Sequence, residues 1–255
     1  MHGYVLFYDD SGHVLLQKKA YFQHYSFQRS CFYTQPVCAN PGQYTLPGGS
    51  MDDVLLQRSG HMHAALKQFQ EESGVAPADL KSWHCNSRGY YSGPEQDTPW
   101  NKEFFYVHFL HVESVGIICS AANAILREVR SSVGGDCLSE SAKTIVKEIF
   151  ERTGFNDDAA AEYKIVPFTD LLSYLSTQVG FDKACEQRWT AMVRQQRLFA
   201  PERRESKIRS IIRFPGEGRD WLVGASRCFL LTPDAAKIVS GERIPVLRGP
   251  RTSNF

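Results

Sequence analysis

The sequence predicts an α/β fold, and three features of the chain lead to that prediction. Two short runs rich in Val, Leu and aromatic residues, Gly3 to Tyr8 and His13 to Gln17, flank the turn sequence Asp-Asp-Ser-Gly and predict a β-hairpin. Apolar residues recur at helical spacing from His61 to Ser73, and Gly74 supplies a stop. The aromatic run Glu103 to Val112 predicts a further strand. Strands and helices therefore alternate along the chain, as in α/β proteins.

The remaining segments complete this pattern in chain order. Residues 20–43, which are aromatic and contain Pro36 and Pro41, predict an extended loop packed over the sheet. The further predicted elements are a strand at Lys81 to Tyr91, helices at 117–130 and 139–153, a strand at Ile165 to Phe168, helices at 170–176 and 182–198, and a strand at Trp221 to Leu231. No segment has the composition of a linker, so one elaborated domain is expected.

Composition excludes several classes of protein. The chain has 255 residues, and its 42% hydrophobic content is sufficient for a core. Its 29 basic and 28 acidic side chains nearly balance, so we do not expect nucleic acid as a partner. The seven cysteines form no C-x-x-C pair and indicate free thiols in a reducing compartment, which is the cytoplasm. The first residues lack the pattern of a secretory signal, and no apolar run is long enough to span a membrane.

The helix from His61 to Ser73 has an informative polar face. Gln68, Glu71 and Glu72 stand at i, i+3 and i+4, so an amide and two carboxylates point the same way from adjacent turns. Lys67 stands four residues before Glu71, where it can form an ion pair. A pair of glycines, Gly48 and Gly49, precedes the helix.

This stretch resembles the Nudix box, G-x5-E-x7-R-E-U-x-E-E-x-G-U, in which U is aliphatic. Glu71, Glu72, Gly74 and Val75 match the end of the motif. Lys67 stands where the family has Arg, and Gln68 stands where it has the first helix Glu. Seventeen residues separate Gly49 from Lys67 where the family has thirteen, which implies a four-residue insertion. The early Glu of the motif then falls on Ser59 or Leu55, and neither can replace it.

The resemblance implies an architecture. It is a Nudix-like α/β/α sandwich with a mixed sheet over residues 1–180, interrupted by a helical insertion at about 114–160. Residues 181–255 are then a C-terminal extension packed on the same domain. The segment Tyr163 to Leu175 is similar to the closing strand and helix of the family.

The resemblance also implies an activity. This is slow or specialised metal-dependent hydrolysis of a nucleoside diphosphate linked to another moiety, with Mg²⁺ or Mn²⁺ as cofactor. Hard cations take oxygen ligands, and Gln in place of Glu keeps the oxygen but loses the charge. The site residues implied by the resemblance fall into two sets: the catalytic set is Lys67, Gln68, Glu71 and Glu72, the last three also being metal ligands, and the substrate-binding set is Gly48, Gly49, Asp52, Asp53 and Glu103.

Two alternatives to hydrolysis remain open. A Nudix fold that has lost catalysis can serve as a nucleotide- or protein-binding module. An altered box can also support non-hydrolytic chemistry on a diphosphate substrate. The resemblance is compatible with a homodimer, and it does not identify the substrate.

Two other segments suggest sites but have simpler explanations. Residues 134–155 again show Gly-Gly, a Glu and a helix ending in Thr-Gly, so Glu148 and Glu151 would matter if the box were duplicated. The basic residues between Arg194 and Arg213 alternate with Glu202 and Glu205. We interpret the first segment as an ordinary amphipathic helix and the second as a solvated surface.

Overall fold

The computed structural model describes residues 2–23, 25–26, 31–32, 38, 41–50, 53–80, 84–86, 105–132, 139–176, 182–195, 237 and 239. The strands are β1 (His2–Tyr8), β2 (His13–Lys19), β3 (Tyr25–Ser26), β4 (Cys31–Phe32), β5 (Tyr44–Thr45), β6 (Gly48–Ser50), β7 (His84–Asn86), β8 (Phe105–His111) and β9 (Ala160–Pro167). The helices are α1 (Asp53–Ser73), α2 (Val115–Ser132), α3 (Glu140–Thr153), α4 (Leu171–Ser176) and α5 (Lys183–Gln195).

The main sheet is mixed, which confirms the predicted α/β class. Its strand order is β5, β2, β1, β8, β7, with β6 also paired to β1 and β9 also paired to β2. The predicted hairpin is confirmed as the antiparallel pair β1 and β2, whereas β8 runs parallel to β1 along its whole length. A parallel neighbour requires a long crossover, and the segment containing α1 and β7 supplies it between β1 and β8.

Both faces of the central strand are buried, which explains its almost continuous apolar sequence. On one face Val5 and Phe7 pack in a core with Phe69 of α1 and with residues of α2 and α3. On the other face Tyr4, Leu6 and Tyr8 pack with Leu171 of α4. Side chains of a strand alternate between faces, so helices on both sides require apolar residues at every position.

Helix α1 begins eight residues earlier than its periodicity predicts. It starts at Asp53 rather than His61, and Gly60 interrupts it with φ 77° and ψ 166°. A residue at these angles is not helical, so the element consists of two helical segments joined at a kink. The apolar periodicity detects only the second segment, because the core contacts of Ala65, Leu66 and Phe69 lie there.

Helices α2 and α3 lie between β8 and β9, close to their predicted positions. Ser139 caps α3 by accepting a hydrogen bond from the Ala142 N–H at 3.2 Å, and Gly154 ends it in the left-handed conformation. Glu148 and Glu151 of α3 are exposed, as on an ordinary amphipathic helix. Strand β9 is longer than predicted and begins at Ala160.

Helix α5 packs on the loop that precedes β5. Trp189 is fully buried with Tyr21 and Val193, and its indole N–H donates to the Cys38 carbonyl at 3.0 Å. The predicted strand at Trp221 to Leu231 and most of the basic stretch lie outside the described residues. Among the helices that are described, none combines the length and the apolar character that crossing a membrane would require.

Candidate functional site

Gly48 and Gly49 are the first two residues of β6, which pairs antiparallel with β1 shortly before α1 begins. Gly48 has φ 127°, and a Cβ at this position would lie 2.2 Å from the Gly3 carbonyl oxygen and 2.8 Å from the Tyr4 Cα. Only glycine tolerates both this backbone conformation and this approach. A Cβ at Gly49 would lie 3.8 Å from Cγ of Gln68, so β6 lies against the polar face of α1.

Glu72 is the centre of a buried hydrogen-bond network on that face. Its side chain is 5% exposed, and three side-chain donors reach its carboxylate. Lys19 and Gln68 each donate to Oε1 at 3.3 Å, and the amide nitrogen of Gln17 donates to Oε2. Both carboxylate oxygens therefore have partners from within the chain.

Glu71 is held differently. Its carboxylate lies 3.7 Å from the ammonium of Lys67, which is the ion pair that the i, i+4 spacing predicts. Its backbone carbonyl accepts hydrogen bonds from the N–H groups of Asn156 and Asp157, at 2.8 and 3.1 Å. The end of α1 is therefore fixed to the turn before β9, and this turn brings Asp157 towards the Glu72 network.

Asp157 is a strongly perturbed acid. Burial, followed by the negative charge of Glu72, raises its pKa to about 7, although Lys19 acts in the opposite direction. The Asp157 carboxylate also accepts hydrogen bonds from the side-chain amide of Gln23 and from the Ala159 N–H. This acid is therefore partly protonated near neutral pH.

The same surroundings shift the pKa values of Lys19 and Cys38. Burial by itself lowers the pKa of Lys19, but the carboxylates of Glu72 and Asp157 outweigh it and leave that pKa above its ordinary value. Burial, with a further contribution from Asp158, raises the pKa of the Cys38 thiol well above its usual range. Lys19 therefore remains charged, and Cys38 remains a thiol.

Three buried polar atoms beside this network have no hydrogen-bond partner among the described residues. They are Gln17 Oε1, Asn156 Oδ1 and the hydroxyl oxygen of Tyr163. Gln17 and Tyr163 are paired across β2 and β9, so their side chains share a face of the sheet. Unpaired buried polar atoms are costly and often mark a site where a ligand or water binds.

The structure brings together the central part of the predicted site. Gly48 and Gly49 lie beside the helix face that carries Lys67, Gln68, Glu71 and Glu72. Asp53 is the first residue of α1, and its side chain is not described. Asp52 and Glu103 lie outside the described residues.

Sequence reasoning missed Gln17, Lys19 and Asp157. A signal for the first two was present, since Leu15, Gln17 and Lys19 alternate along β2 and fall on one face of it. Leu15 packs in the core beneath α1, so polar residues at the next two positions of that face are unusual. Asp157 gave no such signal, because the sequence Asn-Asp-Asp is typical of an ordinary turn.

The donor set does not suit a divalent cation while Lys19 holds its present position. A metal ion needs free oxygen ligands, and both oxygens of Glu72 already accept from cationic or amide donors. The described residues contain no group of three or more His, Cys, Asp and Glu side chains that could hold a metal ion. Binding of Mg²⁺ or Mn²⁺ by Glu71, Glu72 and Gln68 stays a prediction.

Comparison with known proteins identifies no family for the chain. No protein-family model matches the chain, and neither does any curated protein.

Proposed function

We propose that the chain is a Nudix-like domain that binds a diphosphate-containing ligand over the polar face of α1. The ligand class that the Nudix resemblance favours is a nucleoside diphosphate linked to another moiety. The observation that carries the proposal is the buried network in which Lys19, Gln17 and Gln68 donate to Glu72 beside the two glycines of β6.

The position of this network supports a binding role rather than a purely structural one. Replacing a buried ion pair with apolar residues is often neutral or stabilising, so folding alone does not require Lys19 and Glu72 here. The unpaired oxygens of Gln17 and Asn156 lie in the same region and add a further cost. Such a concentration of buried charge, perturbed pKa values and unpaired polar atoms is typical of functional sites.

Lys19 supplies the positive charge that a diphosphate needs. Its side chain is 22% exposed, so part of it faces solvent while its ammonium group contacts Glu72. An ammonium has three donors, and a bound phosphate oxygen can take those that Glu72 leaves. Gly48 is buried against β1, whereas Gly49 is partly exposed beside Gln68, and its lack of a side chain lets a ligand approach the backbone there.

Slow metal-dependent hydrolysis is the second candidate function. The 3.7 Å ion pair between Lys67 and Glu71 favours it, because this pair corresponds to the Arg and Glu of the Nudix box. Glu71 and Glu72 also lie on adjacent positions of one buried helix end. Lys19 would have to leave Glu72 before a divalent ion could bind there.

Binding and hydrolysis measured side by side separate the two functions. Calorimetric titration with ADP-ribose, ADP and a prenyl diphosphate should be carried out in EDTA and again in Mn²⁺, with released phosphate and monophosphate assayed in parallel. Binding in EDTA without turnover supports the binding module. Mn²⁺-dependent turnover that Glu72→Gln abolishes supports the hydrolase. Failure of every compound to bind or react overturns both proposals.

A further inference from the structure

The ionic partner of Glu72 is a residue of the chain itself. Within the described part of the protein, Lys19 is the one cationic group within 4 Å of the Glu72 carboxylate, since the other two side-chain donors are neutral amides. The 3.3 Å separation is a direct charge-assisted contact. Glu72 is therefore neutralised without a metal ion.

Hydrogen bonds to the loop before β5 fix the backbone of Lys19. The Lys19 N–H donates to the Gln43 carbonyl at 2.8 Å, and its own carbonyl accepts from the Gly42 N–H at 2.9 Å. The pairing of β2 with β9 changes register between Lys18 and Lys19, as at a β-bulge. Lys18 and Lys19 nevertheless keep the regular alternation of the strand and point to opposite faces. Lys18 contacts Glu162 and the ring of Tyr44, while Lys19 reaches Glu72.

The charges of the site balance in the same way with Lys19 as with a metal. The Nudix box places three helix carboxylates around a divalent ion, a combination with one net negative charge. Here Gln68 removes one of those carboxylates, and the single charge of Lys19 stands against Glu71 and Glu72. The combination again carries one net negative charge when two groups are left out of the count: Lys67, which stands where the box has Arg, and the partly protonated Asp157. The loss of the Glu and the presence of the Lys are therefore electrostatically matched.

From these contacts we propose that Lys19 takes the place of a divalent metal ion in this site. The ammonium holds Glu72 and offers its remaining hydrogen-bond donors to the anionic ligand, so that binding requires no metal. The part of this inference that concerns the ligand rests on the proposed binding of a diphosphate. The part that concerns the metal ion does not depend on any ligand, and it is tested without one.

Removal of Lys19 should create a metal site. In metal-stripped protein at neutral pH, binding of Mn²⁺ is followed by electron paramagnetic resonance of the free ion. Native protein should bind Mn²⁺ no better than Glu72→Gln does. Lys19→Gln should bind one equivalent about tenfold or more tightly, because a positive charge next to the carboxylates has been removed. Adding Glu72→Gln to Lys19→Gln should abolish the gain, and Lys18→Gln, on the neighbouring position of β2, should behave like native protein.

Two results would overturn the proposal. One is native protein that binds a stoichiometric Mn²⁺ ion which Glu72→Gln removes. The other is folded Lys19→Gln protein, judged by circular dichroism, that gains no affinity for Mn²⁺. If Lys19→Gln does not fold, the test uses the melting temperatures of native protein and of Lys19→Arg, measured with and without Mn²⁺. Mn²⁺ should stabilise neither protein if a cation already occupies the position. Titration with inorganic pyrophosphate in EDTA tests the proposed binding function separately from these outcomes.

Discussion

The ammonium nitrogen of Lys19 on β2 lies 3.3 Å from a carboxylate oxygen of Glu72 on α1, although 53 residues separate the two in the chain. This contact joins the sheet to the helix whose sequence resembles an altered Nudix box. It also connects the stability of the fold to the chemistry of the site, because removing Lys19 leaves the buried carboxylate of Glu72 without its cationic partner.

Removing both members of this pair should cost less than the sum of the two single losses. Lys19→Met should lower the free energy of unfolding by about 2 to 4 kcal/mol, because it leaves the buried Glu72 carboxylate without its cationic partner. Glu72→Gln should cost less, because the side chain of Lys19 is 22% exposed. The double variant should be less destabilised than the sum of the two. Urea denaturation of the four proteins gives the coupling energy. Strictly additive losses would show that the contact has no energetic importance.

Asp157 should make the protein less stable as the pH rises from about 4 to about 7. The pKa of Asp157 is about 7 in the folded protein, above the 3.8 of an unperturbed Asp, so the folded state binds the extra proton in this range. Stability then falls with increasing pH, by about 2 to 4 kcal/mol in total. Denaturation of native protein and of Asp157→Asn between pH 4 and 8 should show the slope only in the native protein.

The exposed Asp170 provides the control for that measurement, and Asp170→Asn should retain the native pH profile. A profile that Asp157→Asn leaves unchanged would mean that other groups control the acid range.

Gly48→Ala should destabilise the fold severely. The new methyl group would lie 2.2 Å from the Gly3 carbonyl oxygen at a backbone φ of 127°, and neither the clash nor the strain can be relieved without moving β1. We expect a loss of about 3 kcal/mol or more. Thermal denaturation should compare it with Gly12→Ala, where φ is 71° and nothing lies within 4 Å of the new methyl group. That variant should lose only about 1 kcal/mol, and equal losses would argue against the close approach at Gly48.

Trp189→Ala should detach α5 from the loop before β5. The substitution leaves a cavity beside Tyr21 and removes the hydrogen bond to Cys38, at a cost of about 3 to 5 kcal/mol. Hydrogen exchange should show lost protection in α5, with β1 and β8 still protected. Trp189→Phe keeps most of the apolar surface and should have a much smaller effect. Unchanged exchange in α5 after Trp189→Ala would show that other contacts hold this helix.

Gln68→Glu should increase metal affinity most strongly when Lys19 is also replaced. A carboxylate at position 68 adds a charged oxygen ligand one turn before Glu72, but the ammonium of Lys19 still opposes a cation. In Mn²⁺ titrations of Gln68→Glu, Lys19→Gln and the double variant, the double variant should bind Mn²⁺ most tightly. The rates of any diphosphate hydrolysis should follow the same order. Gln187→Glu on the exposed surface of α5 is the matched control. Tight Mn²⁺ binding by Gln68→Glu alone would show that Lys19 does not exclude metal.

The sequence by itself determined most of the elements and part of the site. Short runs rich in Val, Leu and aromatic residues located β1, β2 and β8, and helical apolar spacing located the main part of α1, because these elements bury most of their apolar side chains. The spacing of Gln68, Glu71 and Glu72 was sufficient to place them on one helix face, since that depends only on helical geometry. The ion pair of Lys67 with Glu71 followed from the same local rule.

Only the tertiary structure decided what surrounds Glu72. Lys19 and Gln17 come from a strand more than fifty residues earlier, and Asp157 comes from a turn far later in the chain. Their approach depends on the order of β1, β2 and β9 in the sheet and on the packing of α1 over it. Local patterns carry no information about such pairings, because distant segments meet only after loop closure and register are fixed. The same contacts involve both carboxylate oxygens of Glu72. The helix pattern alone could not show that these oxygens already accept hydrogen bonds.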